Sequence, residues 1–184
     1  MLGEWLHWIE RGLDALGGWL IQADFGLGLL LVVGVSMSLS HVFALLANRL
    51  TTRQILWRLG LDALMLAVAF LLTSSIDMVL LRLYGSNPVH PSAFVDGIAT
   101  CLLPACFYLA VAAPYIGETI GLVIWVMVHL NVITFVHVRF DLPWDQSVIL
   151  CTPGYVLAAV LVALLFRQSW QRSYAMLASE LGVP

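Results

Sequence analysis

Lysine is absent from this sequence, and charged residues of every kind are scarce. Arginine supplies all 8 basic side chains, and charged residues make up 10% of the 184 positions, whereas hydrophobic residues make up 61%. A soluble domain carries about 25% charged residues, so this chain could not cover a globule with polar surface. With a net charge of −3, it also lacks the basic patch of a nucleic-acid-binding protein. The composition predicts a protein that lies in a lipid bilayer, has no nucleic-acid partner and satisfies its backbone within helices.

Several signatures of chemistry are missing as well. The three cysteines, Cys101, Cys106 and Cys151, have neither CxxC spacing nor an even count, which favours buried, inert thiols over a disulfide framework or a zinc site. No Gly-x-Ser-x-Gly, His-Glu-x-x-His or phosphate-loop pattern occurs. The N-terminus has no basic region before an apolar core, so no signal peptide is expected. We therefore predict that the protein is not an enzyme and requires no cofactor or metal.

The first 24 residues are predicted to form an amphipathic helix at the membrane interface. Apolar residues recur at the i, i+3, i+4, i+7 spacing of one helix face, and the charged residues fall on the opposite face. Two interpretations are open: the helix lies in the lipid headgroup layer, or it docks on a partner protein, because its polar face is mainly acidic. The apolar face consists of Leu2, Trp5, Leu6, Ile9, Leu13, Leu16 and Leu20.

Apolar segments of spanning length follow this helix. A transmembrane helix needs about 20 apolar residues, and Gly-Ser and Asn-Pro turn signals mark the clearest loop, between the second and third segments. We predict an all-α integral membrane protein, a single membrane domain with five transmembrane helices. The predicted spans are residues 25–47, 58–83, 94–113, 116–137 and 147–166, and an amphipathic tail follows at 167–184.

The distribution of arginine predicts an orientation. With five spans, the connection after the first span and the tail lie on the same side of the membrane. Under the positive-inside rule, this side faces the cytoplasm, so the C-terminus is inside and the N-terminal helix is outside. The arginines on the predicted inner side are Arg49, Arg53, Arg58, Arg167 and Arg172, against Arg11, Arg82 and Arg139 on the other.

Two aspartates, Asp62 and Asp77, fall in the second predicted span. Ionisable residues at membrane depth are costly, and a functional site is the default hypothesis for them. One interpretation places both near the interface, where neighbouring arginine and serine side chains, such as Arg58 and Ser74, satisfy them. The other makes Asp77 a proton or cation site.

Polar residues also occur in the first and fourth spans. Three interpretations stay open for them: hydrogen bonds between helices, a polar translocation path, or ligation of a haem iron or chlorin magnesium by two imidazoles. The candidate ligands are His41, His129 and His137, and Asn131 and Thr134 are further membrane-embedded polar residues. Gly117 and Gly121 form a small-xxx-small pair, which predicts close packing of another helix.

Residues 113–161 carry a family resemblance. Pro114-Tyr115-Ile116-Gly117 leads into a helix with Trp125, then a loop with Arg139 and Trp144, then an apolar helix around Ala158. This arrangement resembles the second half of the Yip1-like membrane proteins, a family of five-helix proteins. The resemblance covers about a quarter of the chain and implies a non-enzymatic integral membrane protein that acts through protein partners.

These observations lead to three functional expectations. The first is an accessory or scaffolding subunit that packs against other subunits of a larger membrane complex, which fits the short loops and the acidic N-terminal helix. The second is a small transporter or channel with Asp77 and His129 or His137 on a polar path. The third is a subunit that binds a pigment or haem through His41, His129 or His137.

Overall fold

The computed structural model describes residues 2–23, 25–47, 51–84, 90–113 and 115–180, and all regular secondary structure within these ranges is helical. A 3₁₀ helix, Leu103–Ala112, continues the fourth α-helix. The α-helices are α1 (Leu2–Ala23), α2 (Gly28–Ala47), α3 (Thr52–Tyr84), α4 (Pro91–Cys101), α5 (Gly117–Phe140) and α6 (Trp144–Glu180). The predicted all-α fold class is therefore confirmed.

Four segments in the described ranges are long and apolar enough to cross a membrane, and a fifth is added if α1 and α2 count as one bent span. The bend between α1 and α2 is 109°, so the two helices run in clearly different directions. The four segments are Ala63–Tyr84, Pro91–Ala112, Gly117–Phe140 and Trp144–Leu161. Several apolar helices thus fit a multi-pass membrane protein, while insertion and the orientation of the termini stay predictions.

The outer surface supports a lipid environment. Large apolar side chains are exposed on every helix that has spanning length, including Leu64, Phe107, Leu122 and Ile149. Soluble monomers rarely expose apolar patches beyond a few hundred Å². In hydrocarbon these side chains carry no such cost, so their exposure agrees with the composition.

The helix bounds differ from the prediction in two places. The third predicted span changes from α-helix to 3₁₀ helix after Cys101. Pro104 has no N–H to donate, and its ring excludes the α-helical hydrogen bond. The Ala105 N–H donates to the Leu102 carbonyl at 2.8 Å, which is the shorter i, i+3 spacing of a 3₁₀ helix. The fifth span and residues 167–180 of the predicted tail form one helix of 37 residues, Trp144–Glu180, and the rest of the tail lies outside the described residues. Arginine and glutamine are good helix formers, so the polarity that begins at Arg167 does not end α6.

Helix α5 contacts four other elements of the bundle. It packs against α1, α4, the 3₁₀ helix and α6, while α3 packs on α2 and α6. Six consecutive residues of α5, from Asn131 to Val136, are buried. The N-terminal half of α5 exposes Leu122, Val123 and Val126, so the buried core of α5 lies in its C-terminal half.

One end of the bundle, which we name the α1 face, carries α1. At this face α3 and α5 end, and α2, α4 and α6 begin. The C-terminal half of α1 docks on the last turns of α5, where Asp14 Oδ1 lies 3.3 Å from His137 Nε2 and Leu20 is buried. The N-terminal half leaves Trp5 and Trp8 exposed.

Gly17 lies at a close contact between α1 and α5. A Cβ atom added there would lie 2.6 Å from Val138 Cγ2 and 2.9 Å from Thr134 Cγ2, whereas a Cβ at Gly18 would have no atom within 4 Å. The two adjacent glycines therefore form a matched pair, one at the contact and one in open space.

We expect Gly17→Ala to lower the thermal stability of the protein in detergent by about 1–3 kcal/mol, the usual cost of overpacking, and to speed chymotrypsin cleavage at the exposed Phe25. Gly18→Ala should leave stability unchanged or raise it slightly, because alanine favours the helix. Equal effects of the two substitutions would contradict the docking of α1 on α5.

Candidate functional site

Asp77 is the one acidic or basic side chain that is fully buried among those the structure describes. Its relative exposure is 0%. Neither carboxylate oxygen has a hydrogen-bond partner within the described part of the chain. The interpretation that arginine and serine side chains satisfy this aspartate near the interface is therefore wrong, because Arg82 and the neighbouring serines make no hydrogen bond to it.

Gly154 on α6 lies directly against the Asp77 carboxylate. A Cβ atom at Gly154 would overlap Asp77 Oδ1 and would lie 3.1 Å from the Thr73 carbonyl oxygen. The Gly154 carbonyl oxygen is 3.5 Å from Thr73 Oγ1, which also donates to the Ala69 carbonyl at 2.9 Å. Only glycine therefore fits at this position, and its small size lets α3 and α6 meet at the level of the aspartate.

Two buried hydroxyl groups lie along the same pair of helices. Ser74 is one turn before Asp77 on α3, and Ser147 is two turns before Gly154 on α6; neither hydroxyl oxygen has a partner among the described residues. Ser147, the buried Cys151 and Gly154 have i, i+4, i+7 spacing, which places them on one face of α6. We use the name α3–α6 polar stripe for five residues: Ser74, Asp77, Ser147, Cys151 and Gly154.

His129 of α5 contacts the same turn of α6 from the other side. Its imidazole stacks on Tyr155 with ring centroids 4.1 Å apart, and its Nε2 lies 3.3 Å from Thr152 Oγ1. Thr152 already donates its hydroxyl to the Val148 carbonyl, so it accepts from Nε2–H. The buried Nδ1 is then an acceptor that has no partner among the described residues.

His137 lies elsewhere. It is eight residues after His129, about 12 Å along α5, and stacks on Trp144 with centroids 4.1 Å apart. Its Nδ1 donates to the Leu142 carbonyl oxygen, and its Nε2 faces Asp14. The structure therefore brings His129, and not His137, to the α6 turn that also contacts Asp77.

The two candidate ligands whose side chains the structure describes, His129 and His137, do not converge on one point. No group of three or more His, Cys, Asp or Glu side chains in the described ranges could hold a metal ion. The side chains of His41 on α2 and Asp62 on α3 lie outside the described part, so the predictions that concern them stay predictions.

Other predicted polar residues have structural partners. Asn131 donates to the Cys101 carbonyl at 3.2 Å, which joins α5 to α4, and Thr134 donates within α5 to the Leu130 carbonyl at 2.8 Å. Ser36 of α2 donates to the Cys106 carbonyl at 2.6 Å and accepts from the Leu109 N–H at 3.0 Å. The bonds of Asn131 and Ser36 hold helices together, whereas the bond of Thr134 lies within one helix.

The glycine pair of α5 packs against the 3₁₀ helix. A Cβ atom at Gly117 would overlap the Val111 carbonyl oxygen, and one at Gly121 would lie 3.6 Å from Val111 Cγ2. The neighbour of this pair is thus the segment that directly precedes α5. Cys101 and Cys151 are buried as expected, and Cys106 is half-buried.

Comparisons with known proteins give no relative: no protein-family model, no curated protein and no solved structure matches this chain. The resemblance to Yip1-like proteins therefore stays an interpretation of the sequence. The chemistry of the α3–α6 polar stripe is the basis on which function can be argued.

We expect Gly154→Ala to destabilise the protein by about 1–3 kcal/mol, because the added methyl group meets Asp77 Oδ1 and a backbone carbonyl. The double variant Asp77→Ala/Gly154→Ala should recover part of this loss in a thermal unfolding assay, because removal of the carboxylate makes room. Gly60→Ala, whose Cβ would have no atom within 4 Å, is the control. A Gly154→Ala protein as stable as this control would contradict the close contact.

Proposed function

We propose that this protein is a small multi-pass membrane transporter whose coupling proton binds at Asp77. The observation that carries the proposal is the complete burial of this carboxyl group with both oxygens lacking a hydrogen-bond partner among the described residues. An ionised carboxylate in such surroundings is costly, whereas a protonated acid is neutral. A group that must take up a proton when its surroundings close, and lose it when water enters, is suited to proton coupling.

A proton fits this site better than a metal ion does. Hard cations such as Ca²⁺ take six or more oxygen ligands, and Mg²⁺ usually keeps several waters. Gly154 lies against Asp77 and Cys151 lies near it, and no group of three or more His, Cys, Asp or Glu side chains in the described ranges could hold a metal ion. A proton needs one oxygen lone pair and no coordination shell.

The polar stripe supports access from the α1 face. Ser147 lies in the first turn of α6, close to that face, and its side chain is on the same helix surface as Gly154. From Ser147 to Gly154 the axial distance is about 10 Å. A hydroxyl group at one end and a carboxyl group at the other would let one or two transient water molecules connect Asp77 to the interface.

His129 is the second titratable group in the proposal. It meets Thr152 and Tyr155 while Asp77 meets Gly154, so both groups contact one turn of α6. Since Pro153 has no backbone N–H to donate, this turn lacks one of the hydrogen bonds that an uninterrupted helix would have. A change of protonation at Asp77 would therefore be felt at His129 through α6.

Asp77→Asn is the direct test. Asparagine keeps the shape of the side chain but binds no proton, so we expect this variant to fold and to lose proton uptake after a pH jump in proteoliposomes that contain a pH-sensitive dye. Infrared difference spectra of the wild-type protein between acid and alkaline buffer should show a buried carboxyl band that the variant lacks.

Asp145→Asn is the matched control, because Asp145 is an exposed carboxylate in the first turn of α6. It should leave both measurements unchanged. Proton uptake that is equal in wild type, Asp77→Asn and Asp145→Asn would remove the transporter proposal.

An accessory-subunit role is the second candidate, and α1 favours it. In its N-terminal half Trp5 is 71% exposed and Trp8 is 70% exposed, and the Arg11 guanidinium lies 5.0 Å from the centre of the Trp8 ring. Tryptophan and arginine are the residues most enriched at interaction hot spots. This half of α1 extends beyond the bundle, where another subunit could receive it.

If α1 docks on another subunit, Trp5→Ala/Trp8→Ala should release a stoichiometric component that co-purifies with the wild-type protein in mild detergent. Trp57→Ala is the control, since Trp57 is equally exposed at the start of α3, on the opposite end of the bundle. A wild-type protein that purifies as a monodisperse, partner-free monomer would rule out this second candidate.

A further inference from the structure

A separate cavity opens at the α1 face, between α1, α4 and α5. Its volume is about 310 Å³. Leu20 and Ile21 of α1 form one wall, and the polar lining comes from Ser92, Asp96 and Thr100 of α4 and from Arg139 of α5. The residues of the α3–α6 polar stripe do not line this cavity.

The cavity brings together two opposite charges that do not pair with each other. Within the described ranges, the Asp96 carboxylate and the Arg139 guanidinium form neither an ion pair nor a hydrogen bond, with each other or with another residue. Oppositely charged side chains at a partly enclosed site normally gain from a charge-assisted hydrogen bond. Asp96 and Arg139 both line this cavity, and neither makes such a hydrogen bond within the described ranges.

The packing of α4 on α5 sets the axial offset between Asp96 and Arg139. The Phe135 ring occupies the place where a Cβ at Gly97 would be, so the two antiparallel helices are in register at Gly97 and Phe135. Arg139 is one turn after Phe135, beside Ala93, while Asp96 adjoins Gly97. The Cα atom of Arg139 is therefore about 5 Å nearer the end of the helices than the Cα atom of Asp96.

The α1–α2 turn closes over Asp96 without filling the cavity. Gly26 has a φ of +53°, in the left-handed region, and a Cβ there would lie 3.4 Å from Asp96 Oδ1. Glycine suits this conformation because it has no side chain. The carboxylate is thus covered on one side by backbone and stays open towards the cavity.

We infer that this cavity binds a zwitterion that carries a primary ammonium group and an oxyanion a few ångströms apart. The ammonium group would bind Asp96, with Ser92 one turn away, and the carboxylate or phosphate would bind Arg139, whose planar fork matches such oxyanions. This chemistry occurs both in free molecules, such as phosphoethanolamine or an amino acid, and in the phosphatidylethanolamine headgroup.

The depth of the two charges distinguishes these sources. In a bilayer the phosphate of phosphatidylethanolamine lies on the hydrocarbon side of its ammonium group. In the cavity the backbone of Arg139 is nearer the end of the helices and the backbone of Asp96 is deeper, so the cation is attached nearer the end and the anion deeper. The order therefore favours a free zwitterion, which enters with its ammonium group first.

The binding test uses the full-length protein in detergent, with phosphoethanolamine as the free probe and ethanolamine and inorganic phosphate as half-probes. Calorimetry should give saturable binding of phosphoethanolamine, and each half-probe should bind at least about tenfold more weakly, because it leaves one charge unpaired. Native mass spectrometry with added phosphatidylethanolamine and phosphatidylglycerol is the lipid arm. Retention of phosphatidylethanolamine alone, without binding of phosphoethanolamine, would assign the site to the headgroup and overturn the preference for a free ligand.

Variants locate the binding. Asp96→Asn and Arg139→Gln should each weaken phosphoethanolamine binding about tenfold or more, and Arg139→Lys should recover part of the loss because the positive charge returns. Arg139 is exposed, so its substitution leaves the core intact even if Asp96→Asn reduces folding. Binding unaltered by Arg139→Gln, equal binding of zwitterion and half-probes, or no saturable binding of any probe would overturn the inference.

The inference is independent of the proposed proton site. Asp77→Asn should bind phosphoethanolamine as the wild type does, since Asp77 does not line the cavity. Loss of binding only in the Asp96 and Arg139 variants, and loss of proton uptake only in Asp77→Asn, would separate the two sites.

Discussion

Close approach of helices at glycine is the constraint on which this structure depends. Lipid is as apolar as the helix surfaces, so helices in a bilayer associate through tight packing and hydrogen bonds rather than through a hydrophobic force. Gly17 sets the contact of α1 with α5, Gly97 that of α4 with α5, and Gly154 that of α3 with α6. Each contact also positions polar groups: His137 beside Asp14, Asp96 at the interfacial cavity, and Asp77 inside the bundle. Packing and candidate chemistry therefore arise from the same positions.

The helices were predictable because a spanning segment is a long, continuous signal. About 20 apolar residues and a few turn residues suffice to mark it, and the amphipathic pattern of residues 1–24 is equally local. The change to a 3₁₀ helix in the third span was not predictable in the same way, because it depends on how the backbone rearranges around Pro104. The hydrogen bond that Ser36 donates to the Cys106 carbonyl supports this 3₁₀ helix, and Ser36 belongs to another helix, α2. The sequence places a boundary at Arg167 because polar residues begin there, yet residues 167–180 contain no proline or glycine to break the helix, and α6 continues.

The candidate site was predictable in part. Asp77 stood out because acidic residues are rare in apolar segments, but its spacing could not show whether arginine and serine would satisfy it. Nor could spacing separate His129 from His137, which lie on one helix and differ only in what packs against them. The residues missed entirely were Ser147 and Gly154. The sequence does show small residues at i, i+4 and i+7 in the last span. Such a face can be interpreted only when the helix that packs against it is known. That helix is α3, which lies about 70 residues earlier in the chain.

The α3–α6 polar stripe is not explained by stability alone. Burial of a hydroxyl or carboxyl group without a partner costs roughly 1–3 kcal/mol, and three such residues, Ser74, Asp77 and Ser147, lie on one pair of packed helices. Helices held together only by packing would do better with alanine at these positions, because the same close approach would then bring no unsatisfied oxygen. The arrangement gains its rationale if the interface opens to water during function: the hydroxyl groups then bind water in the open state, and the carboxyl group exchanges a proton with it. In the closed state, with α3 and α6 in contact as the structure shows them, close packing at Gly154 makes the interface compact. The unsatisfied polar groups lower the stability of this state, so that the interface can open.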